Sequence, residues 1–189
     1  MKKILIFASG SGTNAENIIK YFKNSSTGTV VAVFSNNSNA GVLDKAKKLT
    51  VPTDIFSKED LNSGKVLQKV IQFQPDLIVL AGFLLKFPQD LIEAYPNKVV
   101  NIHPALLPKF GGKGMYGMYI HLAVVDNKEK ETGITIHYVN ENYDEGAIIF
   151  QKNVAVLGTD TPEVVAEKIH ELEQKYFPEI IDKLLLNKL

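Results

Sequence analysis

Two polar residues at a strand end and one carboxylate downstream have the types and spacing to do chemistry together. In Val99-Val-Asn-Ile-His-Pro-Ala-Leu-Leu-Pro108 an apolar strand alternates Val99, Asn101 and His103 on one side with Val100 and Ile102 on the other, and Pro104 ends its regular ladder. The amide can donate, and the imidazole can donate, accept or carry charge. Such a pair suits a reaction that develops charge on a carbonyl oxygen and moves a proton. The competing interpretation is a pair of structural hydrogen bonds at a strand terminus. Asp144, in the acidic turn Asn140-Glu-Asn-Tyr-Asp-Glu-Gly146, is the available partner for His103, because a neighbouring carboxylate favours the protonated ring and fixes its orientation. His137 sits inside an alternating strand and reads as structural, with Tyr138 on the opposite face. His121 and His170 fall in helices without companions that would make a metal site, and no metal cluster is apparent.

A second stretch, Ser9-Gly-Ser-Gly-Thr-Asn14, follows the buried strand Lys3 to Ala8 and precedes a helix from Asn14 to Lys23 that is marked by Ile18, Ile19 and Phe22. Glycines between a strand and a helix let the backbone bend tightly. The N–H groups of Gly12, Thr13 and Asn14, with the Thr13 hydroxyl and the Asn14 amide, would then face a bound anion at the helix start. The run lacks the Gly-Lys-Ser/Thr ending of a Walker A loop. It is also a poor dinucleotide fingerprint, since no acidic residue closes the second strand, Thr29 to Phe34. A glycine turn without a ligand remains the alternative.

The elements that must position these groups alternate between strand and helix. Gly41 to Leu49 reads as a helix with lysines towards its C-terminal end, and Val51 to Phe56 as a short strand weakened by Pro52. Ser57-Lys-Glu-Asp60 has the form of a capping box ahead of one helix that includes Leu61, Val66, Leu67, Val70 and Ile71. Leu77 to Ala81 is continuously apolar, the mark of a strand buried on both faces of a parallel sheet. Phe83 to Phe87 is an apolar loop that either lines a pocket for a flat ligand or covers the sheet edge, and Pro88 opens a short helix through Tyr95. Beyond Pro108, four glycines between Gly111 and Gly117 predict a lid or ligand clamp, followed by a helix from Tyr119 to Asp126. Ile134 to Val139 alternates, which predicts a strand near the sheet edge, paired with a hairpin partner from Ala147 through Val156. Thr161-Pro-Glu163 starts a final helix with Val165, Ile169, Leu172 and Tyr176 on its apolar face, and Pro178 is expected to interrupt it. The expected fold is an α/β, open, doubly wound, mostly parallel sheet, Rossmann-like, with an antiparallel C-terminal extension. Ligands then lie beyond the C-terminal strand ends.

Composition agrees with one globular domain spanning residues 1–189. The chain is 45% hydrophobic and 22% charged, and its 21 basic and 21 acidic residues cancel. A net charge of zero gives no electrostatic reason to expect nucleic acid or an anionic membrane as partner. The absence of cysteine excludes disulfides, thiol catalysis and Cys-ligated zinc. The N-terminal apolar run ends in Ser-Gly-Ser-Gly after five residues and reads as a strand, not a signal peptide.

Taken together, Ser9 to Asn14, Ala81-Gly-Phe83, Asn101-Ile-His-Pro-Ala-Leu-Leu-Pro108 and Gly133-Ile-Thr-Ile-His-Tyr-Val-Asn-Glu-Asn-Tyr-Asp-Glu-Gly146 resemble the folate-dependent formyltransferases. Within them the likeness is to the phosphoribosylglycinamide formyltransferase family, and it covers essentially the whole chain. The resemblance implies formyl transfer from 10-formyltetrahydrofolate, as co-substrate, to the amine of a phosphoribosyl acceptor in purine biosynthesis, without a metal. It implies Asn101, His103 and Asp144 as catalytic residues, and Gly12, Thr13 and Asn14 as the phosphate site. Glu173 falls at the glycinamide end of the acceptor, and Leu84, Leu85, Phe87, Asn101 and Glu141 on the folate side. It further implies a cytoplasmic protein, monomer or homodimer, whose partners are small-molecule substrates, with no nucleic acid and no membrane. Methionyl-tRNA formyltransferases carry an additional C-terminal domain and formyltetrahydrofolate deformylases an additional N-terminal one, neither of which is expected here. Two positions depart from the family pattern: Leu85 stands where Arg is common, and Gly111-Gly-Lys-Gly replaces a frequent Pro-Gly. Formyl transfer to another amine, such as an amino-sugar nucleotide, and a non-catalytic phosphate sensor are the rival functions.

Overall fold

The computed structural model describes residues 1–189 and contains one seven-stranded sheet in the order β3-β2-β1-β4-β5-β6-β7. Strands β1 (Lys2–Phe7), β2 (Gly28–Ser35), β3 (Thr53–Ile55), β4 (Leu77–Leu80) and β5 (Val99–His103) are parallel. β6 (Glu131–Tyr138) and β7 (Ile148–Ala155) add the expected antiparallel pair. Strand order reverses between β1 and β4, the place where a doubly wound sheet opens a crevice at its C-terminal edge.

The continuously apolar strands feed two cores. Ile4, Ile6, Val33, Val79, Val100 and Ile102 face α1 (Thr13–Phe22), α2 (Gly41–Lys48), α6 (Met118–Asp126) and α7 (Pro162–Leu185), while Leu5, Phe7, Phe34, Ile78 and Val99 face α3 (Lys58–Asn62), α4 (Lys65–Phe73) and α5 (Gln89–Ala94). Neighbouring residues of one strand thus serve opposite layers, which the period of two requires. Asn101 and His103 share the side of Val99. Both line a cleft at the C-terminal end of the sheet, between residues of the two layers.

Three expectations are corrected. The helix drawn from Asp60 through Ile71 is two helices, because Gly64 takes a left-handed φ of 79° between them; the Ser57–Asp60 capping box itself is present in both directions. β6 lies one strand in from the sheet edge with β7 as its hairpin partner, as expected, but its burial does not alternate: Thr132 through His137 are all buried, because β7 covers its outer edge and α7 one face. Pro178 does not interrupt α7, which runs on to Leu185. The ring removes the N–H that would have bonded the Gln174 carbonyl four residues back, and that carbonyl accepts instead from Asn17 Nδ2 at 2.7 Å. The break in the helix ladder is thereby turned into a tie to α1.

Candidate active site

Ser9 joins the two strand ends at the switch point. Its N–H donates to the Gly82 carbonyl (3.0 Å), its hydroxyl donates to Asn36 Oδ1 (2.6 Å) and accepts from the Leu84 N–H (3.0 Å). The glycine turn and the apolar loop are therefore one rigid unit at the floor of the cleft. Gly12 precedes α1 at φ 73°, and no side chain caps the helix, so its first N–H groups remain open to an anion. A Cβ at Gly12 would lie 2.4 Å from the Val42 side chain. Glycine is thus required by the approach of α2 as well as by the positive φ.

Asn14 is turned towards α7. Its amide donates to Glu173 Oε2 (2.9 Å) and its carbonyl oxygen accepts from Gln174 Nε2 (3.0 Å). Its side chain therefore holds Glu173, where the sequence suggested an anion contact. Burial pushes the Glu173 carboxyl up to about 7, against the opposing pull of the Asn14 amide.

The strand-end pair is set by its antiparallel neighbour. Register places Asn101 opposite His137 and His103 opposite Thr135, so four polar side chains share one face. Thr135 pins the loop after Pro104: its hydroxyl donates to the Ala105 carbonyl (2.7 Å) and accepts from the Leu107 N–H (3.0 Å). His137 Nδ1 donates to the Tyr138 carbonyl (2.8 Å), which leaves the Nε2 lone pair to accept from Asn101 Nδ2 at 3.1 Å. One hydrogen of the Asn101 amide is thereby used to orient it, and the other is free. His137, which reads as structural from its strand, holds the Asn101 amide; that contact follows from its register opposite Asn101, which only strand pairing reveals.

His103 is buried, 4% exposed, with Nδ1 3.5 Å from Asp144 Oδ1 and Nε2 donating to the Phe110 carbonyl at 2.8 Å. Burial lowers the pKa of the ring, while Asp144 and the Phe110 carbonyl raise it; burial prevails, so the ring lies below its ordinary value. The expectation that Asp144 simply keeps His103 charged is thus met by a stronger opposing effect. Burial pushes the Asp144 carboxyl up, but His137, His103 and the Gly112 N–H (2.9 Å to Oδ2) together hold it below the usual carboxylate range. His137 Nε2 lies 3.6 Å from the same Oδ1, so one carboxylate stands beside two imidazoles. Asp144 and Phe110 both have left-handed backbone, φ 58° and 55°.

A cavity of about 770 Å³ unites Gly12, Thr13, Asn14, Leu84, Asn101, His103, Asp144 and Glu173. Leu85 and Phe87 do not line it. Phe87 is buried edge-on against Phe7, and with Glu141 it lines a second hollow of about 550 Å³ beside Pro88. No group of His, Asp and Glu side chains is arranged to hold a metal ion, and no helix is long and apolar enough to cross a membrane.

Fold and site define a Rossmann-like α/β protein whose strand-end cleft pairs an anion turn with an amide–imidazole–carboxylate cluster suited to acyl chemistry. The chain belongs to the formyl transferase family, which it matches over residues 2–181. It is 36% identical over 187 residues to the chloroplastic phosphoribosylglycinamide formyltransferase of Arabidopsis thaliana, covering 95% of this chain and 64% of that protein. It is 35% identical over 191 residues to the phosphoribosylglycinamide formyltransferase of Bacillus subtilis, covering 98% and 95%. The crystal structure of phosphoribosylglycinamide formyltransferase from Anaplasma phagocytophilum superposes with a TM-score of 0.90 at 30% identity, covering 99% of this chain and 88% of that one. The chain thus spans less than two thirds of the plant relative and nearly all of the bacterial one.

Proposed function

We propose that this chain transfers the formyl group of 10-formyltetrahydrofolate to the amine of 5'-phosphoribosylglycinamide. The observation that carries the proposal is the shared cavity: an uncapped helix start suited to a phosphate lies in the same space as Asn101, His103 and Asp144. A phosphate sensor has no need of those three groups in one cleft. The likeness to proteins named for this acceptor, one of which matches nearly end to end, supports the choice of acceptor over an amino-sugar nucleotide.

In the proposed reaction the acceptor nitrogen attacks the formyl carbon, forming the new C–N bond and a tetrahedral oxyanion. Collapse breaks the bond to N10 of the folate, and the proton lost by the amine ends on N10. Asn101 donates its free amide hydrogen to the oxyanion, with the other held by His137. His103, whose Nε2–H is committed to Phe110, presents Nδ1 on its Asp144 side. Protonation there, favoured as negative charge develops on the substrate, lets Nδ1 stabilise that charge and pass a proton through water. The folate-side contacts proposed are Leu84 in the cavity wall, with Leu85, Phe87 and Glu141 along the neighbouring loops.

The test is to incubate the purified protein with 10-formyltetrahydrofolate and either glycinamide ribonucleotide or an amino-sugar nucleotide, following tetrahydrofolate formation. Turnover with the first acceptor alone is expected. Turnover with the second alone moves the assignment to another amine, and folate binding without turnover on either revives the sensor.

A further inference from the structure

His121 has no place in the chemistry described so far. It lies in the first half of α6, 6% exposed, between Ile120 and Val124, which are fully buried in the apolar core. Its Nδ1 is buried and has no hydrogen-bond partner, while the ring as a whole lines the cleft. Burial lowers the pKa of this ring, so it is neutral near pH 7 and offers one N–H and one lone pair. A buried imidazole nitrogen left without a partner is costly to the free protein, and such groups call for an explanation.

The ring lines the same cavity as Gly12, Thr13 and Asn14, together with Ala166, Ile169 and Glu173 of α7, the helix on which α6 packs. These are the residues of the acceptor half of the cleft. Resting on the function proposed above, we infer that His121 is an acceptor-binding residue whose imidazole hydrogen-bonds an oxygen of the ribosyl phosphate. A neutral ring matches a hydroxyl, which both gives and takes a hydrogen bond, and its N–H alone matches a phosphate oxygen.

Two near-isosteric variants separate this from a packing role. His121→Phe keeps the aromatic volume and removes both nitrogens, whereas His121→Gln keeps a donor and an acceptor. We expect the Phe variant to melt at or above the wild-type temperature, because an unpaired polar group has been removed. Its KM for glycinamide ribonucleotide should rise by about 10- to 100-fold, the loss of one good hydrogen bond or two, while KM for the folate stays within about twofold. The Gln variant should recover part of the acceptor affinity. Repeating the comparison with the dephosphorylated riboside assigns the oxygen: a loss that persists marks a ribose hydroxyl, and one that disappears marks the phosphate. An unchanged acceptor KM in His121→Phe overturns the inference while leaving the proposed function intact, as does a lower melting temperature with equal loss for both substrates. Absence of wild-type turnover with glycinamide ribonucleotide overturns the proposed function and this inference with it.

Discussion

The Asp144 carboxylate stands 3.5 Å from Nδ1 of His103, longer than the roughly 2.7–2.9 Å of a strong charge-assisted hydrogen bond. The pair is therefore close enough for the charges to influence each other without being locked together. Burial drives the ring towards its neutral form and Asp144 opposes that drive, so the carboxylate is what keeps protonation within reach. Replacing Asp144 by Asn should move the pH at which His103 loses its proton further down and lower kcat by about 100-fold, within the range of general acid–base effects. Because the active form carries the proton, the alkaline fall in kcat should begin at lower pH in the variant. A pH–rate profile of both proteins measures this; superimposable profiles with full activity would leave Asp144 only its bond to the Gly112 N–H.

Asn101→Ala removes the free amide hydrogen from the cleft. An oxyanion donor contributes roughly 3 to 4 kcal/mol in the transition state, so kcat should fall by about 100-fold or more with little change in melting temperature. Formyl transfer in the same assay as wild type checks it, and near wild-type turnover removes Asn101 from the mechanism.

His137 acts on Asn101 rather than on substrate. His137→Phe deprives the amide of its acceptor and frees it to rotate, for an expected loss of about 10-fold in kcat with both KM values nearly unchanged. Double-mutant analysis is the sharper readout: in an Asn101→Ala background the same substitution should cost little further, since the group it orients is gone. Full additivity would place His137 in some other role.

Gly12→Val is expected to damage the fold rather than probe the anion alone. The new side chain meets Val42 at 2.4 Å in a left-handed backbone, a combination expected to cost about 2–4 kcal/mol. Denaturant melts should show the loss, and Val42→Ala in the same chain should restore part of it. Titration with either substrate would then show weakened binding of both in the single variant.

Glu173 links stability to pH. Its carboxyl, ordinarily near 4.5, is pushed up to about 7 by burial, so the folded chain holds this proton more tightly than the unfolded one. The stabilisation is complete below pH about 4.5 and is lost as pH rises through about 7, an effect of about 3 kcal/mol. Glu173→Gln mimics the protonated form, so thermal melts of the substrate-free proteins should diverge from pH 5 to pH 8 in favour of the variant. A constant difference across that range would show that the carboxylate is hydrated in the folded chain.

Much of this was legible locally. Continuous apolar runs announced the buried parallel strands, Ser57–Asp60 and Thr161-Pro162 announced helix starts, and the glycine turn announced the uncapped start of α1, because each depends on neighbours a few residues apart. Pro178 was misread for the same reason. Local chemistry predicts a break, whereas the freed Gln174 carbonyl finds its partner in Asn17, far away in sequence.

The chain by itself determined the order of strands and helices, the polar pair at the end of β5 and the carboxylate in the turn after β6, since these follow from residue type and period. Tertiary structure alone decided what those groups experience. The register of β6 against β5 turned His137 from a strand residue into the partner of Asn101, and the packing of α2 made Gly12 obligatory. Burial, a property of everything around a group, set the ionisation of His103, His121 and Glu173. Desolvation and hydrogen bonding act through space between segments remote in sequence, and only the folded chain brings those segments together.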